Sequence, residues 1–230
     1  MQACDYEFDA PDRPPVKLRI LLDRPPATST VPWTQLDFHR CGNCPLSPAP
    51  GACCPAAADL EPVVEALGSV ASIQSVKVTV TTPQRVYQQS VTGSEGARAA
   101  LGLVMATSGC PILEDLRVLA HFHLPFATQQ ESTFRFVSAY LLRQFLAQQA
   151  PGNLDGLVDK MDELRKLNIA FANRLRAACS KDALPNAIVQ LFTLSMAVGG
   201  EAEDGLEGLR RFFAKQTDNA ADGRMAPSGG

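Results

Sequence analysis

The sequence predicts an α+β fold, with a small antiparallel sheet and helices in the N-terminal half and a helical bundle in the C-terminal half. Two observations support this prediction. Before residue 127, several short stretches alternate apolar and polar residues, as half-buried strands do. From Ser132 onward, apolar residues instead recur at three- and four-residue steps, which is typical of amphipathic helices.

In the N-terminal half, alternation predicts a strand over residues 16–23, a second over 33–40, and a hairpin formed by 74–81 and 84–91. Helices are expected at 56–67 and 94–107, with a short helical piece at 112–119, because each contains an apolar stripe or follows a helix-starting residue. Residues 1–15 are polar and rich in proline, so we expect a loose segment on the surface.

The C-terminal half is expected to contain helices over residues 132–149, 154–179, 182–198 and 206–214. In the first of them the helical period places five apolar residues on the buried side: Phe134, Val137, Leu141, Leu142 and Phe145. The chain is therefore divided into an α+β metal-binding part over 16–127, a helical part over 128–215 and a disordered tail over 216–230.

Composition limits the classes of function. At 230 residues with 46% hydrophobic content, the chain can bury a core without disulfides. A net charge of −3 with both signs dispersed argues against nucleic-acid binding, which needs a concentrated basic surface. We expect no membrane span, since no run approaches eighteen apolar residues, and no signal peptide, since the N-terminus lacks its pattern. A cytoplasmic location is predicted.

The most unusual stretch is the loop over residues 39–55, which holds four of the seven cysteines in the pattern Cys41-x2-Cys44-x8-Cys53-Cys54. The loop consists mainly of turn-forming residues, so its cysteines are not needed as apolar filler. In a reducing compartment, clustered cysteines are more often metal ligands or redox-active thiols than structural disulfides. An odd cysteine count also fits poorly with a disulfide framework.

Three cysteines are followed directly by proline, at Cys44, Cys54 and Cys110, which is more than 17 prolines in 230 residues would give by chance. Proline keeps the preceding residue out of the helical region and suits the first position of a helix. Cys54 and Cys110 are thus predicted to cap two helices, where the dipole favours an anionic sulfur. Together with the CxxC pair they predict a site of four cysteines: Cys41, Cys44, Cys54 and Cys110.

Four thiolates suit either zinc or an iron–sulfur cluster, and the pattern resembles both kinds of site only in a general way. The Cys-Pro steps and the lack of a second CxxC pair favour a [4Fe–4S] cluster, with zinc as the alternative. Cys53 is a possible substitute for Cys54, and His39 is a possible fourth ligand for zinc. Cys4 and Cys179 are interpreted as small apolar residues of the core.

Three functional hypotheses follow from this site. The first is a cytoplasmic iron–sulfur protein for redox or oxygen sensing or electron transfer, with a protein partner on the helical half. The second is a zinc-stabilised interaction module. The third is a thiol enzyme that uses Cys53 or Cys54 with His121 or His123, which are expected to share one face. No hydrolase or nucleotidase motif occurs, so the sequence names no catalytic residue and leaves open whether the protein is an enzyme.

Overall fold

A computed structural model describes residues 2–148 and 152–213. The α+β class is confirmed: one antiparallel sheet lies in the N-terminal half, and most helices follow it. The strands are β1 (Ala3–Ala10), β2 (Arg13–Leu21), β3 (Ser75–Thr81) and β4 (Val86–Thr92). The helices are α1 (Pro55–Leu67), α2 (Gly93–Ala106), α3 (Arg117–His121), α4 (Gln129–Leu146), α5 (Asp155–Ala178), α6 (Ala183–Glu203) and α7 (Glu207–Arg210). Two 3₁₀ helices cover Pro32–Thr34 and Pro111–Leu116.

The strand order in the sheet is β2-β1-β3-β4, so β1 is an interior strand that pairs with both β2 and β3. The expectation of a loose segment over residues 1–15 is therefore wrong. Within β1, Cys4, Tyr6 and Phe8 face the core and are each less than 5% exposed. The acidic residues between them turn outwards and pair with basic residues of β2, as in the Asp5–Arg19 and Glu7–Lys17 contacts of 3.4 and 3.7 Å.

The strand expected over residues 33–40 is also wrong. The chain instead forms the 3₁₀ helix Pro32–Thr34 and then a series of turns, in which the amide of Phe38 donates to the carbonyl of Gln35 at 3.1 Å. His39 has a φ of 43°, in the left-handed region that interrupts a strand. The only extended pairing in this stretch is a single bridge between Gln35 and Cys53.

Helix α4 begins at Gln129, three residues before the predicted start at Ser132, and it buries fewer of its apolar side chains than expected. Val137 is buried, whereas Phe134, Leu142 and Phe145 are 49%, 56% and 71% exposed. The helix lies at the outside of the bundle, where it packs against α3, α6 and α7 along one side only. The periodicity of the α4 sequence correctly predicted a helix. It did not predict that several of the apolar side chains on that helix remain exposed.

Helices α1, α2, α5 and α6 and the hairpin of β3 and β4 lie close to their predicted positions, whereas the helix predicted over 206–214 is only the single turn α7. Helix α1 passes through Pro62 without ending, and α2 begins with a capping box formed by Thr92 and Glu95. The predicted tail over 216–230 lies outside the described residues. A continuous buried core runs from the sheet through α1 and α2 to α5 and α6, so it joins the two parts proposed from the sequence.

Helix α6 is long and apolar enough to cross a membrane by length and composition, with a mean hydropathy of 1.3 over an 18-residue window. In this structure 44% of that window is buried inside the protein. Together, α2 and the segment Pro111–His121 also pass the test, but they are bent by 112°. Polar residues such as Asn186, Gln190 and Ser195 interrupt the apolar run of α6, which explains why the sequence showed no obvious span.

Candidate metal centre

The CxxC pair lies in a tight turn that follows the 3₁₀ helix Pro32–Thr34. The amide of Cys44 donates to the carbonyl of Cys41 at 3.1 Å, which closes the turn. The guanidinium of Arg40 donates to the carbonyl of Cys44 at 3.1 Å and to that of Leu46. These bonds fix the backbone of a loop that buries little else, and Cys41 itself is only 9% exposed.

Cys54 and Cys110 occupy the N-cap positions of two helices, as the Cys-Pro steps predict. Cys54 precedes α1 and Cys110 precedes the 3₁₀ helix Pro111–Leu116, each with proline at the first helical position. Their backbones are almost identical, with φ and ψ of −74° and 119° for Cys54 and −76° and 121° for Cys110. Both residues are 7% exposed.

The helix ends direct backbone amides towards these two sulfurs. Neither side chain makes a full capping hydrogen bond. Burial raises the pKa of Cys54, but the amides of Ala57 and Ala56 oppose that rise. Burial likewise raises the pKa of Cys110 to about 11, against the opposing effect of the amides of Ile112 and Leu113. Each helix start therefore stabilises negative charge on its cysteine.

The four thiols lie near enough to interact electrostatically in every pairwise combination. Burial, followed by the charges of Cys54, Cys110 and Cys44, raises the pKa of Cys41 to about 12. A charge on Cys44 also raises the pKa of Cys54 and of Cys110. All four residues of the set predicted from sequence are thus within electrostatic range of one another, including Cys110, which is 66 positions from Cys44.

Arg174 is the functional residue that sequence reasoning missed. Its side chain is only 1% exposed, and its Nη1 donates to the carbonyls of Trp33 and Gln35 at 2.5 and 2.8 Å. Its buried Nε has no hydrogen-bond partner, and Arg174 forms no ion pair among the residues that the structure describes. Burial lowers its pKa, whereas the charges of Cys54, Cys41 and Cys44 raise it. The thiols of Cys54, Cys41 and Cys44 are therefore the acidic groups near this buried cation, and they become negative only when they lose their protons.

Cys53 is directed away from the other four cysteines. Its sulfur lies 3.9 Å from the carbonyl oxygen of Ala27, and it is not among the groups that shift the pKa of Cys41, Cys54 or Cys110. Cys53 and Cys54 are consecutive residues of an extended segment, so their side chains point to opposite sides. The structure therefore favours Cys54 over Cys53 as the ligand.

The three histidines have different surroundings. His39 is exposed and packs edge-on against Phe38, with ring centroids 4.8 Å apart. His121 is exposed and contacts Gln2, whereas His123 is hydrogen-bonded to the hydroxyl of Tyr6. The expectation that His121 and His123 share one face of an extended segment is wrong, because His121 is the last residue of helix α3 and His123 follows the helix. Burial, followed by the charge of Arg135, lowers the pKa of His123 to about 4, so its imidazole is neutral at pH 7.

Cys4 and Cys179 lie apart from the site, as expected for core thiols. Burial, with a smaller contribution from Asp5, raises the pKa of Cys4 to about 11. Burial alone raises the pKa of Cys179 to about 11. Neither pKa depends on another cysteine, unlike the pKa values of Cys41, Cys54 and Cys110.

Within residues 2–148 and 152–213, no group of three or more histidine, cysteine, aspartate or glutamate side chains is arranged to hold a single metal ion. The seven cysteines are all free thiols. The thiols of Cys41, Cys44, Cys54 and Cys110 thus lie within electrostatic range of one another and of the buried Arg174, but they are not in the arrangement of a formed metal site. Such a set can supply four thiolate ligands to a metal centre once the protons leave.

Comparisons with known proteins place the chain in a family without assigning it an activity. No curated protein and no solved structure matches the chain. Residues 16–214 match the DUF6901 family, which is described as a domain of unknown function, and the match covers more than half of the chain. The protein therefore belongs to the DUF6901 family.

Proposed function

We propose that this chain is a cytoplasmic iron–sulfur protein in which Cys41, Cys44, Cys54 and Cys110 hold a [4Fe–4S] cluster. The cluster serves redox or oxygen sensing, or electron transfer. The observation that carries the proposal is the mutual approach of four thiols from three separate parts of the chain, beside a buried arginine. A core that needed only apolar filler has no use for this arrangement.

The balance of charge supports a bound metal. Removing a proton from each thiol in a buried site is unfavourable without a cation, as the raised pKa values of Cys41 and Cys110 indicate. A metal centre displaces these protons and offsets the thiolate charges. Arg174 presents the reverse problem, because a buried guanidinium without an acidic partner is costly. A thiolate-ligated cluster with net negative charge satisfies both groups.

The choice of a cluster over zinc rests on the Cys-Pro steps and on the single CxxC pair, features that recur among cysteine ligands of iron–sulfur clusters. Zinc on the same four cysteines would make the loop a structural interaction module. The raised pKa of Cys54 is unfavourable for a third hypothesis, a thiol nucleophile at that position, because reactive cysteines have lowered pKa values.

We propose that the helical half binds a protein partner. The exposed Phe134, Leu142 and Phe145 lie on α4, which is covered along one side only. Aromatic and aliphatic side chains of this kind are enriched at protein interfaces. A sensor or electron carrier needs such a partner to receive its signal or its electrons.

The test is elemental analysis of protein purified without oxygen. We expect about four iron and four sulfide ions per chain, together with a brown colour. Stoichiometric zinc without iron would overturn the cluster in favour of the interaction module. Protein that contains neither metal, even after anaerobic reconstitution with iron and sulfide, would contradict both.

Two adjacent cysteines provide a matched pair of variants for the same analysis. Cys54→Ala should lose most of the bound iron, because it removes a ligand that faces the other thiols. Cys53→Ala should retain the wild-type iron content, because its sulfur faces the carbonyl of Ala27. The opposite pattern of iron content would show that Cys53 is the ligand.

A further inference from the structure

A cavity of about 150 Å³ lies between α2, α4, α5, α6 and the segment that includes α3. Most of its lining is apolar, with residues such as Leu103, Phe136, Leu164 and Leu191. The four clustered cysteines do not line it. The cavity is therefore a separate feature, and it plays no part in the proposed metal centre.

Two arginines, Arg98 from α2 and Arg135 from α4, line this otherwise apolar cavity. Burial lowers the pKa of both side chains, so both are partly withdrawn from water. Neither forms an ion pair with another residue in the described part of the chain. Arg98 donates to the carbonyl of Ala127 at 3.2 Å, and Arg135 donates to two carbonyls in and after α3 at 3.0 and 2.9 Å.

The acids nearest to these arginines, Glu95 and Glu131, raise the pKa of Arg98 and Arg135 through their charge but form their hydrogen bonds with other groups. Glu95 accepts hydrogen bonds from the amide and hydroxyl of Thr92 in the capping box of α2. Glu131 does the same with Thr128 in the capping box of α4. No aspartate or glutamate lines the cavity. Each guanidinium has five N–H donors, so several donors on both arginines remain available.

The other polar groups of the lining add no charge. His123 is neutral at pH 7 and bonded to Tyr6, and the hydroxyl of Ser195 donates to the carbonyl of Leu191 at 2.9 Å. Asn168 is the remaining amide side chain of the lining. The cavity therefore combines an apolar interior, two positive charges and no negative charge.

We infer that this cavity binds a small apolar carboxylate, with the carboxylate held by Arg98 and Arg135 and the apolar body among the leucine and phenylalanine side chains. Guanidinium groups match a carboxylate geometrically and form charge-assisted hydrogen bonds with it. A cavity of about 150 Å³ is large enough to hold a single benzene ring. The ligand class is therefore an aromatic or short-chain carboxylic acid rather than a long lipid.

Benzoate is the probe, because it joins one aromatic ring to one carboxylate. Calorimetric titration of the full chain should give submillimolar binding with a stoichiometry of one. Benzamide, which keeps the shape but lacks the charge, should bind at least about ten-fold more weakly. Acetate, which lacks the apolar body, should show no binding in the same range.

Three variants test the site itself. Arg98→Gln and Arg135→Gln should each weaken benzoate binding about ten-fold or more. Arg143→Gln is the matched control, because Arg143 lies on α4 and pairs with Asp115 outside the cavity. Because Arg98 and Arg135 also hold backbone carbonyls, Ala99→Leu provides a variant that fills the cavity and breaks no hydrogen bond. It should abolish binding and leave the melting temperature at or above that of the wild type.

Absence of benzoate binding to the wild-type chain would overturn the inference, as would equal binding by the wild type and Ala99→Leu. Equal affinity for benzoate and benzamide would show that the two arginines do not hold a carboxylate. None of these outcomes depends on iron content, so the cavity and the metal centre succeed or fail separately.

Discussion

A single buried cation distinguishes the cysteine site from an ordinary cluster of core thiols. Arg174 is held by the carbonyls of Trp33 and Gln35 and lies against the rings of Phe171 and Phe38, 5.7 and 5.8 Å from their centroids. Its position is therefore fixed by several independent contacts. A fixed positive charge beside a cluster favours the reduced form, which carries one more negative charge.

The first prediction concerns Arg174→Gln. Removal of the charge should lower the reduction potential of the cluster by roughly 50–150 mV, by Coulomb's law at an effective dielectric constant of about 20. Arg174→Lys, which keeps the charge, should restore much of the potential. Electrochemical titration under anaerobic conditions measures the reduction potential of the wild type, Arg174→Gln and Arg174→Lys.

Arg176→Gln is the control, because Arg176 lies two residues further along α5 and is exposed. Its potential should equal that of the wild type. An Arg174→Gln potential that is unchanged or higher would show that this side chain only supports the fold.

The second prediction concerns His123. Its folded pKa of about 4 lies below the ordinary value of 6.5, so the unfolded chain binds its proton first as the pH falls. The contribution of His123 to stability is thus fully present above about pH 6.5 and declines towards pH 4. Between pH 7 and pH 5.5, the free energy of unfolding should fall by about 1 kcal/mol through this group.

Urea unfolding at several pH values measures how the free energy of unfolding changes with pH. His123→Gln should be less stable than the wild type at pH 7 but should lose less stability between pH 7 and pH 5.5. His121→Gln, at an exposed position, should keep the wild-type slope. If the stability of His123→Gln changed with pH as much as that of the wild type, other groups would be responsible for the pH dependence.

For individual residues, the sequence could predict which cysteines to consider as ligands but not which residues surround them. Cys54 and Cys110 carry a local signal, since proline follows each at a helix start. Arg174 carried a weaker one: it lies three residues after Phe171 and one before Leu175, so it shares the buried face of α5. The partner of His123 could not be predicted, because Tyr6 lies in a strand that the sequence analysis did not identify.

Among the secondary-structure elements, α1 and α2 matter most to the site, because one begins at Cys54 and the other ends just before Cys110. Arg24 joins them. Its guanidinium forms an ion pair with Asp59 of α1 at 3.0 Å and donates to Thr107 and Val104 at the end of α2, at 2.6 and 2.9 Å. The spacing of the two helix ends therefore depends on a largely buried ion pair.

The third prediction is that Asp59→Asn lowers the free energy of unfolding by about 3 kcal/mol, because it leaves a largely buried arginine without its counter-ion. Asp5→Asn removes one partner of the exposed Arg19 pair and should cost less than about 1 kcal/mol. Denaturant unfolding of both variants makes the comparison. Equal losses in the two variants would contradict the structural importance of the Arg24 contact.

The elements also show where local patterns are insufficient. Residues 33–40 contain Leu36 and Phe38 at strand spacing, but there is no neighbouring strand to pair with them, so they form turns. Conversely, β1 has clear alternation around Tyr6, yet the prolines at positions 11, 14 and 15 obscured it. Pairing partners distant in sequence decide both cases, and a single sequence does not reveal them.

For the whole molecule, the cysteine site lies where the two halves meet. Cys41, Cys44, Cys54 and Cys110 come from the N-terminal half, whereas Arg174 comes from α5 in the helical half. Asn43 in the cysteine loop also donates to the carbonyl of Glu163 in α5 at 3.2 Å. The α+β class was predictable from periodicity, but this junction was not, because it depends on how α5 packs.

The fourth prediction follows from this position. If the proposed metal is bound, its removal should lower the melting temperature of the whole chain by about 5–15 °C in a single transition. Circular dichroism, which follows the helices, and the fluorescence of Trp33, which lies next to the site, should shift together. Separate transitions for the two probes would mean that the metal stabilises only the cysteine loop.

Cys54→Ala supplies the control for that experiment. Because it should hold little metal, its melting temperature should be the same with and without a chelator. A further drop in the variant would reveal an effect of the chelator unrelated to the four cysteines.

The position of β1 matters when the start of the family match is used to choose where a recombinant protein begins. The match to the family begins at residue 16, after the whole of β1 and the first residues of β2. A protein shortened to that boundary would lack the strand that joins β2 to β3, and two rows of unpaired backbone groups would be open to pairing between molecules. Recombinant expression of this chain should therefore retain the first fifteen residues, since their omission is expected to produce aggregates rather than a smaller folded domain.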